Sequence, residues 1–364
     1  MKIAVLTSGG VDSSVALKLL QDQGHDVTAF YLKIWLEDEL SFLGESCPWD
    51  EDLRYVREIC TKNKIPLEVV SMQKEYFDTV VSYTIKEVKS GRTPNPDVMC
   101  NNNVKFGLFV KKIDKSFEKI ATGHYAEVFK KAGIYYLKKT PDPIKDQTYF
   151  LSNLKQKQLA RLIFPLKNLK KEQVRKLAQK YNLPNKDRKD SQGICFLGKF
   201  KYNDFIKHYL GVKSGDIIEI ETGKKLGEHE GFWYYTIGQR KGIKLSGGPW
   251  FVAKKDIKKN IVYVSSHYHE ADKKRDILKV GHFNWFSGKI PTAKNLRVKL
   301  RHGENSYKCT LKKLSKTSAQ IKISGNDQGI APGQFAAFYS GKVCLGSAVI
   351  TGGCIFAQII ILFI

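Results

Sequence analysis

Apolar runs and amphipathic periods take turns from the first residues of the chain. The run IAVLT at residues 3–7 predicts a strand, and the spacing that opens near Ser13 predicts a helix. DVTAFYLKIW at 26–35 and PLEVVSM at 66–72 read as further strands, with a helix around DLRYVREICTK at 52–62 between them and a long helix after. Strands alternating with helices make a parallel α/β sheet. KIATGHYAEVF at 119–129 reads as one more strand of it. Ligands of such sheets bind at the carboxyl ends of the strands, the edge where the glycine turn after IAVLT lies.

The pattern then changes twice. Residues 153–181 turn helical and basic, with nine Lys or Arg against the single Glu172, and KYNDFIKHYL at 201–210 predicts another helix. After Gly211 come short β-like runs, among them DIIEI, IVYVSS, NLRVKL and AQIKI, the pattern of a small barrel or two. The expected organisation is an α/β catalytic domain over 1–150, a small helical basic middle module over 151–210, a β-rich region over 211–353, and an apolar extension, 354–364, without an assigned role.

Composition adds a partner to this picture. The 364 residues carry 61 Lys and Arg against 36 acidic residues, a net charge of +25, and such a surplus points to a polyanion, nucleic acid first. Seven scattered cysteines do not form a secreted disulfide framework. The chain runs straight into a strand with no presequence, and no stretch reaches the roughly 18 to 20 apolar residues of a membrane span, so the expectation is cytoplasmic and not membrane-bound.

Candidate chemistry begins at Ser8-Gly9-Gly10-Val11-Asp12-Ser13-Ser14, between the first strand and the first helix. Two glycines let backbone N–H groups close on an anion, the helix offers its positive end, and the serines add hydroxyls. Asp12 fits either a magnesium ligand or an acceptor that orients the loop. The string is neither GxxxxGK[ST] nor GxGxxG.

Downstream, GRTPNPDVMCNNNVKFG at 91–107 places Asp97 and Cys100 after a proline-stiffened loop, with Cys100 just ahead of a helical stretch. A helix N-terminus favours the thiolate. Cys195 lies in a second glycine-flanked segment, DSQGICFLG at 190–198. Neither segment has a CxxC or a histidine cluster, so no metal site is assigned. Two separated cysteines suit sulfur relay: releasing the outer sulfur of a persulfide as sulfide takes two electrons, which a second thiolate supplies by forming a disulfide. The pair must then approach within about 7 Å between Cα atoms.

SGGVDSS resembles the PP-loop of the ATP pyrophosphatase superfamily, which cleaves ATP to AMP and pyrophosphate while adenylating an acceptor. The loop leaves that acceptor open, and amide-forming synthetases or a non-catalytic RNA-binding descendant remain alternatives. SGGVDSS, NPDVMCNNNVKF, ATGHYA, KDQTYFL, SQGICF and YTIGQRKG together, in this order over nearly the whole chain, resemble the tRNA-specific 2-thiouridylases called MnmA or TrmU.

The resemblance implies ATP contacts at Leu6, Thr7, Ser8, Gly9, Gly10, Val11, Asp12, Ser13, Leu32 and Gly123. It implies Cys100 as nucleophile, Cys195 as persulfide carrier, and Asp97 as acid or base. It implies tRNA contacts at Asn95, Pro96, Asp97, His124, Lys145, Asp146, Gln147, Arg301, His302 and Gln334. The chain departs from the family pattern with Leu6-Thr7 where Gly-Met is usual, Val104 before Lys105 where Ile is common, and His302 where Tyr is frequent. None of these removes a reacting atom. The implied partners are ATP with magnesium, a tRNA whose wobble uridine is splayed from its anticodon loop, and a sulfur donor such as a cysteine desulfurase or a sulfur-relay protein. Arg297, Lys299, Arg301, Lys308, Lys312, Lys313 and Lys316 make the C-terminal β region the expected basic face for the phosphates.

Overall fold

A computed structural model describes residues 1–34, 48–190, 201–269 and 275–353. Five parallel strands form the N-terminal sheet: β1 Lys2–Thr7, β2 Asp26–Lys33, β3 Leu67–Ser71, β4 Lys119–Thr122 and, after the hairpin of β5 Glu127–Lys131 and β6 Ile134–Lys138, β7 Leu162–Ile163. Their order is β3-β2-β1-β4-β7. The chain leaves β1 toward one edge and returns to the other, so the topological switch point lies between β1 and β4, where such sheets open a crevice for a ligand.

Alternation within β1 explains why both faces are covered. Ile3 and Val5 point into one core, with Val15 and Leu17 of α1 (Val11–Asp22) and Val56 and Ile59 of α2 (Pro48–Asn63). Ala4 and Leu6 point into the other, with Phe106 and Phe109 of a helix called α3, which runs Pro96–Met99, becomes π-helical over Cys100–Leu108, and closes as Phe109–Lys112. A sheet buried on both faces reads as a near-continuous apolar run, which is what IAVLT is.

Two expectations change here. The run at 119–129 is not one strand: β4 ends at Thr122, and β5 begins at Glu127 in a different, antiparallel sheet. The N-terminal unit also extends past residue 150. Strand β7 completes its sheet, and Val174 and Ala178 of α4 (Lys171–Lys180) are buried with Ile3 and Val5, so the basic helical stretch packs on the first core through its apolar positions.

Helix α5 (Tyr202–Leu210) leads to a four-stranded sheet, order β10-β11-β8-β9, of β8 Gly215–Glu219, β9 Lys225–His229, β10 Phe251–Asp256 and β11 Ile261–Ser265. The C-terminal strands are β12 Ile277–Trp285, β13 Leu296–Lys299, β14 Tyr307–Lys313, β15 Ser318–Ile323, β16 Phe335–Ser340 and β17 Val343–Gly352. They close into a six-stranded antiparallel barrel through β12 and β17, and the β5–β6 hairpin extends it from β17. Among the described residues no helix is long and apolar enough to cross a membrane.

Candidate functional site

At the switch point the turn from β1 into α1 is built around its glycines. Gly9 holds φ +70°, and a Cβ there would stand 2.6 Å from the Asp52 carbonyl oxygen. Gly10 caps α1 with its carbonyl, accepting from the Ser13 hydroxyl at 3.0 Å and the Ser14 hydroxyl at 2.9 Å. The Ser8 backbone N–H donates to Ser13 Oγ at 3.2 Å. Leu6 and Thr7 are buried at the end of β1, the Thr7 hydroxyl donating to the Phe30 carbonyl at 3.2 Å, and Leu32 lies near the end of the neighbouring β2. Val11 is buried as the first residue of α1.

Gly123, just beyond β4, lies against the start of α1: a Cβ on it would meet the Ser13 amide nitrogen at 2.6 Å and the Asp12 carbonyl carbon at 2.7 Å. Only a residue without a side chain lets the two loops at the switch point come this close.

Around the turn converge Lys171, Arg175, Asn185 and Arg188, which the sequence motifs did not single out, together with Asp12, Tyr125, Lys145 and Asp190. Asp12 Oδ1 accepts from the Tyr125 hydroxyl at 2.9 Å and from Lys171 Nζ at 2.7 Å. Lys171, the first residue of α4, also pairs with Asp190 at 2.8 Å, and Asp190 further holds Lys145 and Arg175, each at 2.6 Å. Burial by itself raises the Asp190 carboxyl, but hydrogen bonds from Lys145 and Lys171, together with their charges, bring it well below the usual range. Asn185 Nδ2 donates to the Gly9 carbonyl at 2.8 Å and to Ser14 Oγ at 2.9 Å, and Arg188 reaches the same carbonyl at 3.1 Å. The one available signal was the density of Lys and Arg between 170 and 189, but charge density does not say which cation faces inward.

The expected tRNA contacts divide. His124 stands between the rings of Phe106 and Phe164, each centroid 6.1 Å away, with Nδ1 2.7 Å from the Thr122 hydroxyl. Burial first and the Lys105 charge second push its imidazole down to about 3, so it is neutral near pH 7. Gln147 is bound to the Tyr125 backbone, accepting at 2.9 Å through its side chain and donating at 3.0 Å through its own N–H. Asp146 is held inside: its side chain is 2% exposed and faces Lys299 at 3.4 Å and the Thr148 hydroxyl at 2.8 Å, so it joins the α/β domain to the barrel. Lys299 is buried in that pair and leaves the expected basic face, while Lys308, Lys312, Lys313 and Lys316 remain exposed on it.

The loop ahead of Cys100 docks on the barrel. Asn95 caps α3 by accepting from the Val98 N–H at 3.2 Å, and its Nδ2 donates to Gln334 Oε1 at 3.1 Å, 239 residues away in sequence. Gln334 Nε2 in turn donates to the Pro94 carbonyl at 2.7 Å. Pro96 is buried and Asp97 half-buried in the first turn of α3.

Cys100 is the fifth residue of this helix rather than a residue ahead of it, and it is buried in the same cluster as Leu6 and Ile120. The electrostatic gain of a helix start fades within its first turn, so the expected N-terminal activation of this thiol is weaker than the sequence pattern implied. Arg301 reaches buried Asp327 at 2.8 Å, and the His302 ring lies 4.5 Å from that of Phe150. Cys195 and its segment lie outside the described residues. Among the described residues no group of three or more His, Cys, Asp or Glu side chains is placed to hold a metal ion.

Residues 1–199 match the family model described as the tRNA methyl transferase HUP domain, residues 203–266 the tRNA methyl transferase PRC-barrel domain, and residues 275–350 the aminomethyltransferase beta-barrel domain. The chain is 46% identical to the tRNA-specific 2-thiouridylase MnmA of Parabacteroides distasonis, over 96% of this chain and 99% of that one. It is 44% identical to MnmA 1 of Bacteroides thetaiotaomicron, over 96% and 100%, and 44% identical to MnmA of Porphyromonas gingivalis, over 97% and 100%. With identity of this order along the whole length, and with a switch-point glycine turn, an Asn95–Cys100 helix and a C-terminal barrel in one molecule, the chain belongs to the family of the tRNA-specific 2-thiouridylases.

Proposed function

We propose that this protein is a tRNA-uridine 2-sulfurtransferase that uses ATP to exchange the C2 oxygen of a wobble uridine for sulfur. The observation that carries the reading is the joining of the cysteine helix to the barrel: Asn95 and Gln334, both expected at the RNA from the family resemblance, bond each other at 3.1 Å. The contact ties the start of the helix that carries Asp97 and Cys100 to the barrel whose exposed lysines are Lys308, Lys312, Lys313 and Lys316.

The residues fit an adenylate chemistry. The turn from Ser8 to Ser13 offers glycine backbone, hydroxyls and a helix start to a triphosphate. Asp12 is the carboxylate at that turn, and a magnesium ion arriving with ATP would meet it there and offset phosphate charge. The uridine O2 attacks the α-phosphorus, the bond to the bridging oxygen breaks, and pyrophosphate leaves with the electron pair. Asp97, half-buried beside the RNA-facing loop, takes and returns the uridine N3 proton.

Cys195 carries the sulfur as a persulfide loaded by a separate donor. Its terminal sulfur attacks C2, AMP departs with the original oxygen, and the Cys100 thiolate attacks the inner sulfur, leaving the outer one on the base and a Cys100–Cys195 disulfide that an external thiol reduces. In the other order, Cys100 first releases hydrosulfide, which attacks C2, and the same disulfide results.

The test is to incubate the protein with ATP, magnesium, a sulfide source and unmodified tRNA bearing a wobble uridine, digest the RNA, and identify 2-thiouridine by mass spectrometry. Product that requires ATP supports the proposal. Pyrophosphate and AMP without thiolation would mean a different acceptor. With a persulfide donor in place of sulfide, Cys100→Ser is expected to keep tRNA-dependent pyrophosphate release and to lose repeated turnover.

A further inference from the structure

We infer that Lys171 is a ligand of the ATP phosphates and the cation that neutralises pyrophosphate as it leaves, a role resting on the reading above that the switch-point turn holds ATP. Its Nζ lies 2.7 Å from Asp12 Oδ1, at the first turn of α1, where the helix N-terminus and the glycine turn direct their positive ends. The side chain is 16% exposed, so a cation is fixed at the mouth of an anion site rather than free in solvent.

The other cations nearby are placed differently. Lys145 and Arg175 reach Asp190, and Arg188 faces the Gly9 carbonyl and Asp52. Among the described residues Lys171 is the lysine or arginine that touches the carboxylate of the turn. Its stem is anchored, because its backbone N–H donates to Asp142 Oδ2 at 2.9 Å and α4 packs against α1. A movement of the side chain alone carries the ammonium from Asp12 to a bound phosphate oxygen, and Asp190 at 2.8 Å holds it on that path.

The chemistry gives the residue its task. Breaking the bond from the α-phosphorus to the bridging oxygen puts new negative charge on the departing pyrophosphate, and a cation fixed in advance stabilises charge that develops in the transition state. Transfer of Lys171 to the phosphates also leaves Asp12 able to take a metal ion arriving with ATP. A lysine that only clamps α1 to α4 would have no preference among ligands. A phosphate ligand discriminates by phosphate number.

The test is calorimetric titration of the full-length protein with magnesium ATP, pyrophosphate, AMP and adenosine, for the wild type and the variants Lys171→Met, Lys171→Gln, Lys171→Arg and Lys176→Met. Lys176 is on the same helix, 71% exposed, and paired with Glu172, so its loss removes the same charge away from the site. Loss of a charge-assisted hydrogen bond predicts about ten- to a hundredfold weaker binding of ATP and pyrophosphate in Lys171→Met and Lys171→Gln. Adenosine is expected to bind unchanged, Lys171→Arg to recover part of the affinity, and Lys176→Met to match the wild type.

Variants of Lys171 that fold, by their thermal transitions, and bind ATP as the wild type does would overturn the inference. So would an equal loss for all four ligands, which is the mark of a clamp. Wild-type protein that binds none of the four overturns the ATP reading, and the role of Lys171 with it.

Discussion

Gly123 and His124 are neighbours with opposite demands. At Gly123 the missing Cβ would stand 2.6 Å and 2.7 Å from backbone atoms of Ser13 and Asp12, which cannot swing aside as a side chain can. Gly123→Ala is therefore expected to cost about 1–3 kcal/mol of stability and to weaken ATP binding by pushing the turn from α1. A denaturant midpoint and a nucleotide titration check the two effects separately.

His124 is held neutral by burial, with a pKa near 3 against an ordinary 6.5. The unfolded chain binds the extra proton between those values. The stability this residue contributes is thus present above pH 6.5 and lost as pH falls toward 3. Its ring resonances should not titrate between pH 5 and 8 by NMR, and a midpoint near 6.5 would contradict the burial argument. Sequence motifs picked out both residues, since the motif ATGHYA contains them, but the reasons were invisible there. A close backbone approach and an aromatic cage are made by residues that are distant in sequence.

Among the elements, α3 shows how a helix is shaped by a partner from outside it. Over Cys100–Leu108 it is π-helical, and Gln158 Nε2 donates to the carbonyls of Asn102 at 2.6 Å and Phe106 at 2.9 Å. A side chain inserted at the carbonyl ladder is a recognised cause of irregular helix geometry. Gln158→Leu removes both donors and leaves two carbonyls short of a partner, for an expected loss of about 1–3 kcal/mol. If the element positions Cys100, sulfur transfer falls further than ATP cleavage does, which a paired assay of 2-thiouridine and pyrophosphate measures.

The sequence pattern marked a helix here, because Val104, Phe106 and Phe109 supply its buried face. It could not mark the π register, which Gln158 imposes from fifty residues on. The misread strand at 119–129 fails for a related reason. Apolar residues continue through Gly123 to Phe129, yet β5 pairs with β6, and β6 with β17, a partner some two hundred residues downstream. Local alternation records burial, not which sheet does the burying.

At the scale of the whole molecule, the barrel is held against the cysteine helix and the α/β domain, and buried polar contacts contribute to the holding. Thr93 N–H donates to the Pro332 carbonyl at 2.7 Å, Gln334 bonds Asn95 and Pro94, and Lys299 of β13 faces Asp146 with both side chains 4% exposed or less. Breaking a buried ion pair from one side leaves an uncompensated charge and costs roughly 3–5 kcal/mol, whereas replacing both partners is far milder. Lys299→Met should therefore lower the denaturation midpoint sharply. Adding Asp146→Asn, which keeps an acceptor for Thr148, should recover a large part of the loss. Because the pair joins the barrel to the α/β domain, the proposed function predicts that tRNA affinity falls in the single variant and returns in the double one, while adenosine binding at the switch point stays as in the wild type. A double variant that is as unstable as the two single losses added together would show that the pair acts as two independent residues, and the docking of the barrel would then rest on the Asn95–Gln334 side of the interface alone.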